Sequence, residues 1–397
     1  MAESPHPRRR LVFMMPRFSH DDVRVSHKEA WTLAQLGFDV TLACKSAPVT
    51  SYLGMRVVAA RTPAQNPMFR ALVNLPSLVA QALKLDADVY VLENPDTLLL
   101  GLVLVALRKR VIYSTHEDFV AKMELRPEAP RWLRGFAGYM VRTLERIIAR
   151  VSDATLVTQI GLVEEYGSKA ILVENAPLTF GPVVERAREC HAQMPAAHYP
   201  LLVYSGSLTL DRGLMRMLEL LLELRRSHDW RLKLVGWFYP PEIEDAARRH
   251  PAWPYVDYVG HVTHAESLAH IRTGTMGLIL LDDVADYPHT SPNKLYEYME
   301  LETPFVASDF VNWRRSVGGA PAGLFVDPQD VDDTAREITK LVEDDERLRA
   351  MATAGRRHIL ERFNWSAVAR PLEARLLEIA HDGSTPALYA EQPANRI

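Results

Sequence analysis

The chain has 397 residues, of which 48% are hydrophobic and 24% charged, with a formal net charge of −4. At ~150 residues per domain this length predicts two or three globular domains, and the charge gives no basic field of the kind that draws in nucleic acid. Two cysteines, Cys44 and Cys190, are too few for a disulfide framework or a thiolate metal site and favour a reducing compartment.

In the first half of the chain, short apolar runs predict buried strands at 11–15, 40–44, 88–92, 111–114 and 154–158. Apolar residues at helical spacing predict helices over 23–36 and 131–150. The run at 11–15 is too short for a signal-peptide core, and the longest apolar run, at 98–107, is about half of the ~20 residues of a spanning helix. We therefore expect a cytoplasmic protein.

The pattern then restarts. Strands are predicted at 201–204, 231–235, 255–259, 276–281 and 304–307, with helices between them at 214–226, 241–249, 265–273 and 292–301. Strands that alternate with helices indicate parallel sheets, so we expect two successive α/β units joined near 175–182. The end of the chain, 383–397, is predicted to be disordered. In such sheets ligands bind beyond the carboxyl ends of the strands.

Several common site motifs are missing from the chain. It contains no GxxxxGK[ST] phosphate loop and no GxGxxG after a strand, so a nicotinamide or flavin cofactor has no support. It also contains no HExxH, no CxxC and no GxSxG. We therefore predict no cofactor and no metal.

The segment 291–309 (SPNKLYEYMELETPFVASD) carries the most information. Ser291 suits a helix N-cap and Pro292 a first helical turn, where free backbone N–H groups attract phosphate. Lys294 would add a positive charge, and Glu297, on the same helix face, could accept both hydrogens of a ribose diol. An ordinary capped helix with a surface ion pair worth ~0.3 kcal/mol remains the alternative.

This segment resembles the donor-site motif of GT-B glycosyltransferases of the family 4-like group. Further segments resemble the group's motifs in the same order: 22–30 with 37–42, 113–118 (YSTHED), 175–177 (NAP), 205–214 (SGSLTLDRGL), 259–262 and 363–365. The resemblance implies two Rossmann-like domains facing each other across a cleft. The acceptor domain would span 1–177, the nucleotide-sugar domain 178–363, and a helix at about 364–380 would pack back on the first domain.

The resemblance also implies roles for individual residues. His116 would face the donor sugar, with Asp118 orienting it or capping the next turn. Gly206 would let the backbone approach the diphosphate, and Arg212 would bind that diphosphate or serve its own loop. Asn293 belongs to the same donor motif as Lys294. His261 lies in the turn that resembles the group's base-side turn.

The chain departs from the group at two places. Many members carry a glutamate eight residues before the position of Glu297, but this chain has His289, which leaves the sugar and the mechanism open. A Gly-Gly turn after the first strand is replaced by 16–22, in which His20 and Asp22 could contact acceptor or donor. The alternative for Asp22, which we favour, is an N-cap on the following helix.

The segment 126–150 holds six arginines and two glutamates with aromatic residues between them. It could rest on an anionic membrane at the inner face, or simply pack on its own sheet.

The resemblance thus implies a retaining glycosyltransferase of polysaccharide or glycoconjugate biosynthesis, using a UDP-, GDP- or dTDP-linked donor and a hydroxyl acceptor on a glycan, lipid-linked glycan or small molecule. Because cationic residues would neutralise the diphosphate, we expect the reaction to be metal-independent. A GT-B nucleotide-sugar epimerase and a non-catalytic nucleotide-sugar-binding subunit are the alternatives.

Overall fold

The computed structural model describes residues 9–64, 70–116, 131–284, 287–290 and 292–380. Asp118, Ser291 and the predicted tail 383–397 lie outside these residues, as does the beginning of the basic segment 126–150. The chain divides into two compact units, Met1–Glu174 with Val368–Ile397, and Asn175–Ala367.

Unit 1 is built on an eight-stranded sheet in the order β3-β4-β2-β1-β5-β6-β7-β8. All its neighbours are parallel except the short β3–β4 pair. The strands are β1 Arg10–Met15, β2 Asp39–Cys44, β3 Ser51–Tyr52, β4 Met55–Ala59, β5 Val89–Glu93, β6 Arg110–Thr115, β7 Ala154–Val157 and β8 Ala170–Leu172. The central strands are buried on both faces, which explains their continuous apolar runs.

The helices of unit 1 connect these strands. They are a π-helix Val23–Ala30, α1 Trp31–Gln35, α2 Arg70–Val73, α3 Leu75–Leu85, a 3₁₀ turn Pro95–Thr97, α4 Leu98–Ala106, α5 Arg131–Val151 and α6 Ile160–Tyr166. The last helix of the described chain, Arg370–Ala380, also belongs to this unit: it contacts β8, and Arg375 Nη2 donates to the Asp153 carbonyl at 2.8 Å.

Unit 2 is a six-stranded, fully parallel sheet in the order β11-β10-β9-β12-β13-β14. The strands are β9 Leu201–Ser205, β10 Arg231–Val235, β11 Val256–Gly260, β12 Met276–Ile279, β13 Phe305–Ser308 and β14 Gly323–Val326. The helices around them are α7 Pro182–Ala192, α8 Leu214–Leu224, α9 Ile243–Arg248, α10 His264–Arg272, α11 Asn293–Glu300, α12 Val311–Ser316, α13 Val331–Glu343, α14 Asp345–Glu361 and α15 Trp365–Val368. Two 3₁₀ turns lie at Trp253–Tyr255 and Tyr287–His289. The helix Arg370–Ala380, which belongs to unit 1, is numbered α16.

Both units are therefore parallel Rossmann-like α/β bodies, which confirms the predicted fold class. The prediction missed β3, β4 and β14, and it ended β12 two residues late. It also took 23–36 as one regular helix, whereas the first eight residues form a π-helix. Within the described residues, no helix is long and apolar enough to cross a membrane.

Candidate functional site

The carboxyl edge of the unit 2 sheet has a glycine-lined approach at its centre. β9 is flanked by β10 and β12, so the strand order reverses there, and such a point opens a ligand crevice. Gly206 follows β9 with a φ of +133°, and a Cβ at Gly236 would overlap the Gly206 carbonyl oxygen. Gly206 thus requires glycine for its positive φ, and Gly236 for close backbone packing.

Lys294 lies directly against this turn. A Cβ added at Gly206 would stand 2.7 Å from both Cε and Nζ of Lys294, so the absent side chain makes room for the ammonium group. Nζ also lies 5.4 Å from the ring centroid of Tyr204, a buried residue of β9 whose hydroxyl donates to the Ser207 carbonyl at 2.8 Å. The sequence prediction placed Gly206 and Lys294 in one site, and the structure brings them together.

Arg212 supplies a second cation to the same place. Its Nε lies 3.5 Å from the hydroxyl of Tyr287, which in turn donates to Asp211 Oδ2 at 2.6 Å. Gly213 follows with a φ of +78°, and a Cβ there would overlap the Leu280 carbonyl, so the loop after β9 is held against the end of β12. No sequence pattern indicated that Tyr287 and Asp211 would hold the arginine in place.

The charge of Lys294 is destabilised by its surroundings. Burial and, next, the positive charge of Arg212 lower the pKa of Lys294 to about 8, while Glu297 acts in the opposite direction. A buried ammonium group near a second cation forms a natural site for an anion, because a bound diphosphate would offset the repulsion on Lys294.

The first turn of α11 completes this group. The helix begins at Asn293, with Pro292 in extended conformation as its N-cap, so the expected place of Ser291 as cap is wrong by one residue. Pro292 lacks a backbone N–H, so it leaves no unsatisfied donor at the start of the helix, and its carbonyl accepts from Leu295 N at 3.1 Å. The buried Asn293 Oδ1 has no hydrogen-bond partner among the described residues, and the helix N-terminus favours an anion.

Glu297 lies one turn further along the same helix face. Its side chain is 14% exposed, and its Oε1 stands 3.7 Å from His264 Nε2 at the start of α10. Leu295, Tyr298 and Met299 are buried on the opposite face, as predicted. The helix therefore packs through its apolar face and leaves Lys294 and Glu297 at the strand ends.

The remaining predicted residues of unit 2 lie at the same edge. His261 follows β11, exposed, and its ring stacks edge-on against Trp237 at 5.1 Å. Trp237 itself follows β10 and is 46% exposed, an aromatic surface that the sequence analysis missed. His289 is exposed, with Nδ1 3.5 Å from Asn312 Nδ2.

Unit 1 has its own polar cluster at the carboxyl ends of β5 and β6. His116 follows β6, and its Nε2 lies 2.6 Å from Oε2 of Glu93, the last residue of β5. Glu93 is completely buried, and burial and then the charge of Asp22 raise its pKa to about 8. His116 Nε2 and Glu93 Oε2 can therefore share a proton across this contact. The sequence offered one signal for Glu93, a carboxylate at the end of an otherwise apolar strand.

The π-helix supports this cluster. Arg24 Nε donates to Glu29 Oε1 at 2.7 Å, although residues five apart lie about 140° apart around an α-helix. The wider π-turn brings both onto one face, and Glu29 Oε1 then lies 4.0 Å from His116 Nδ1. Arg24 also donates to the carbonyls of Val173 and Glu174, which anchors it to the end of β8.

Asp22 is the N-cap of the π-helix, accepting from Val25 N at 2.8 Å, which confirms the interpretation favoured from sequence. His20 packs edge-on against Tyr52 at 4.9 Å. No cluster of three or more His, Cys, Asp or Glu suited to a metal occurs in the part of the chain that the structure describes.

Comparisons with known proteins agree with this picture. Residues 199–344 match the family model described as glycosyl transferases group 1. Glycogen synthase of Mycobacterium tuberculosis is 25% identical over 254 residues, 60% of this chain, and the match spans 57% of that relative's length.

Two solved structures cover nearly the whole chain. Sucrose-phosphate synthase from Thermosynechococcus elongatus is 19% identical with a TM-score of 0.72, covering 95% of this chain and all of that one. Anabaena HepE in complex with UDP is 13% identical with a TM-score of 0.65, covering 93% and 99%. At these identities the likeness shows the fold.

Proposed function

Because the chain carries a glycosyl transferases group 1 domain and has the GT-B fold, we propose that it transfers a sugar from a nucleoside diphosphate sugar to a hydroxyl acceptor. One observation carries the proposal: Lys294 Nζ lies in the space left by Gly206, beside Arg212, at the point where the strand order of unit 2 reverses. This arrangement suits a diphosphate.

The chemistry follows from the charges. The departing nucleoside diphosphate gains negative charge as the bond to the sugar breaks, and fixed cations stabilise that charge. Lys294, Arg212 and the N–H groups at the start of α11 would do so here, so the reaction needs no metal. Glu297, one turn on, would accept hydrogen bonds from the two ribose hydroxyls, and Trp237 with His261 offers an aromatic surface for the base.

In unit 1, His116 is the proposed group at the reacting sugar. Its short contact with Glu93 fixes the ring and supplies a proton acceptor on one nitrogen, which suits hydrogen bonding or proton exchange with a hydroxyl. The retaining stereochemistry is proposed on the family resemblance. His289, at the place of the usual glutamate, could donate or accept one hydrogen bond to the sugar but cannot hold two hydroxyls as a carboxylate does.

The donor base and the acceptor are proposals of the same kind. HepE was solved with UDP, which makes UDP-linked donors, with uracil as the base, the first to test. Acceptors of polysaccharide or lipid-linked type, at the cytoplasmic face of the membrane, fit the basic segment 126–150, where Phe136 and Tyr139 are more than half exposed. Contact with anionic vesicles would test that segment.

Thermal denaturation with UDP, GDP, dTDP, ADP and their common sugar conjugates tests the proposal. A hundredfold excess over Kd stabilises the protein by about 2.7 kcal/mol. We expect one nucleotide to raise the melting temperature of the wild type and of the exposed control Glu343→Ala, but much less that of Glu297→Ala. A folded protein that responds to no nucleotide would refute the proposal.

Turnover separates the alternatives. Sugar transfer that depends on an added acceptor supports the transferase. Conversion of the nucleotide sugar to an isomer without any acceptor would instead indicate an epimerase. Binding without either reaction, even with acceptor extracts, would indicate a non-catalytic subunit.

A further inference from the structure

Unit 1 contains a polar cavity at the carboxyl edge of its sheet, in addition to the His116–Glu93 cluster. Its volume is about 220 Å³. The residues around it follow several strands: Arg17 comes after β1, Lys45 after β2 and Asp96 after β5, while Arg70 belongs to α2. This is the edge at which ligands bind in parallel sheets.

The cavity is positively charged. Three cations line it against one carboxylate, Asp96, which lies 2.9 Å from Arg70 Nε and 3.5 Å from Arg17 Nε. The carboxylate thus holds two guanidinium groups together. Lys45 has no ion-pair partner among the described residues, so its ammonium group adds an uncompensated charge to the cavity wall.

Two hydrogen bonds between lining residues hold part of the cavity wall in place. Asn74 is buried and is joined to Ala64 in both directions: Ala64 N donates to Asn74 Oδ1 at 2.8 Å, and Asn74 Nδ2 donates to the Ala64 carbonyl at 2.9 Å. Leu78 and Pro16, both buried, provide its apolar part. A cavity with an apolar wall and convergent charges is typical of small-molecule sites.

The cavity and His116 are linked through chain neighbours of the cavity lining. Phe18, next to Arg17, packs edge-on against the His116 ring at 6.0 Å, and its carbonyl accepts from Lys45 N at 2.8 Å. Asp96 lies three residues after Glu93, the hydrogen-bond partner of His116. The cavity and the histidine thus belong to the same carboxyl edge of the unit 1 sheet.

We propose that this cavity is an acceptor subsite for an anionic group, the phosphate or carboxylate of a small acidic sugar. The inference rests on the proposed function and specifies its acceptor class. The volume equals that of roughly seven water molecules, enough for one sugar ring or its charged substituent. The anionic group of the acceptor would contact the Lys45 ammonium group and the Arg17 guanidinium group. A hydroxyl of the same acceptor would then point towards His116.

Isothermal titration with glucose 6-phosphate, glucuronate and uncharged glucose tests the subsite on the full chain. Lys45→Gln keeps a polar side chain, one atom shorter, and removes its charge. Lys84→Gln is the matched control, because Lys84 lines a different basic cavity, bordered by Arg10 and Asp39 at the beginning of β1 and β2. We expect at least one anionic probe to bind better than glucose, and Lys45→Gln to weaken it by roughly tenfold or more, since hydrogen bonds to charged groups are strong.

The two anionic probes distinguish the source of the charge: tighter binding of glucose 6-phosphate indicates a phosphorylated acceptor, and tighter binding of glucuronate an acidic one. Equal affinity of all three sugars, binding of none, or loss in Lys84→Gln instead of Lys45→Gln would overturn the subsite. None of these results depends on nucleotide binding in unit 2, so failure of the subsite and failure of the proposed transferase are separate outcomes.

Discussion

The lowered pKa of Lys294 makes nucleotide affinity depend on pH in a calculable way. The free protein loses the Lys294 proton near pH 8, and a bound diphosphate would raise that pKa again by adding negative charge. Affinity is then complete below pH 8 and falls as pH rises through it. If only the protonated lysine binds, Kd increases about tenfold from pH 7 to pH 9, which is ~1.4 kcal/mol.

Titration calorimetry at pH 7, 8 and 9 measures this change, with the nucleotide that stabilises the protein as ligand. In buffers of different ionisation enthalpy, the same experiment at pH 8 and above should reveal proton uptake on binding. Arg212 and Tyr204 do not titrate in this range, because the pKa of Arg212 is raised and that of Tyr204 is about 12.

Two variants isolate the lysine. Lys294→Arg keeps a positive charge up to pH 9 and should make the affinity independent of pH, whereas Lys294→Met should weaken binding roughly 10- to 100-fold at pH 7 through the lost charge-assisted hydrogen bond. Lys340→Met, an exposed position on α13, serves as control. The reasoning is refuted if wild-type affinity is flat from pH 7 to 9, or if Lys294→Arg retains the full dependence.

Further predictions concern the two units separately. Gly206→Ala should reduce nucleotide affinity at least tenfold, because its Cβ meets Lys294 at 2.7 Å, whereas Gly319→Ala, where a Cβ meets open space, should leave it unchanged in the same titration. Glu93→Gln should remove any limb near pH 8 from the profile of the transfer rate and lower that rate at pH 7 by tenfold or more; an unchanged profile would contradict the role of this carboxylate. Tyr166→Phe should lower the free energy of unfolding in urea by about 1–3 kcal/mol, because the hydroxyl donates to buried Glu145 at 3.0 Å; no loss would show that the bond adds nothing.

The regular strands and helices could be predicted from the sequence because the burial of apolar residues leaves a local pattern in it. Central parallel strands are buried on both faces, so β1, β2, β9 and β12 appear as largely continuous apolar runs. The edge strands β3 and β14, and β4 next to β3, were missed because they are short or only partly buried, and their apolar pattern is correspondingly weak. Helices could be placed by period, but their exact ends depend on capping groups.

The candidate site divides in the same manner. Lys294 and Glu297 could be paired from spacing, since residues three apart share one face of a helix. That Lys294 lies against Gly206, 88 positions earlier, could only be inferred from the resemblance, because no local rule joins two distant loops. Glu93 was overlooked for that reason: its partner His116 belongs to another strand, and only the register of β5 with β6 brings the two ends together.

The amino-acid order alone was sufficient for two parallel α/β units and for the helix that carries Lys294, because burial and helical period act between near neighbours. The tertiary structure was needed for the π-turn that pairs Arg24 with Glu29, for the tyrosine that holds Arg212, and for the burial that lowers the pKa of Lys294. These features arise from contacts between separate elements, whose energies depend on distance and burial in the folded chain.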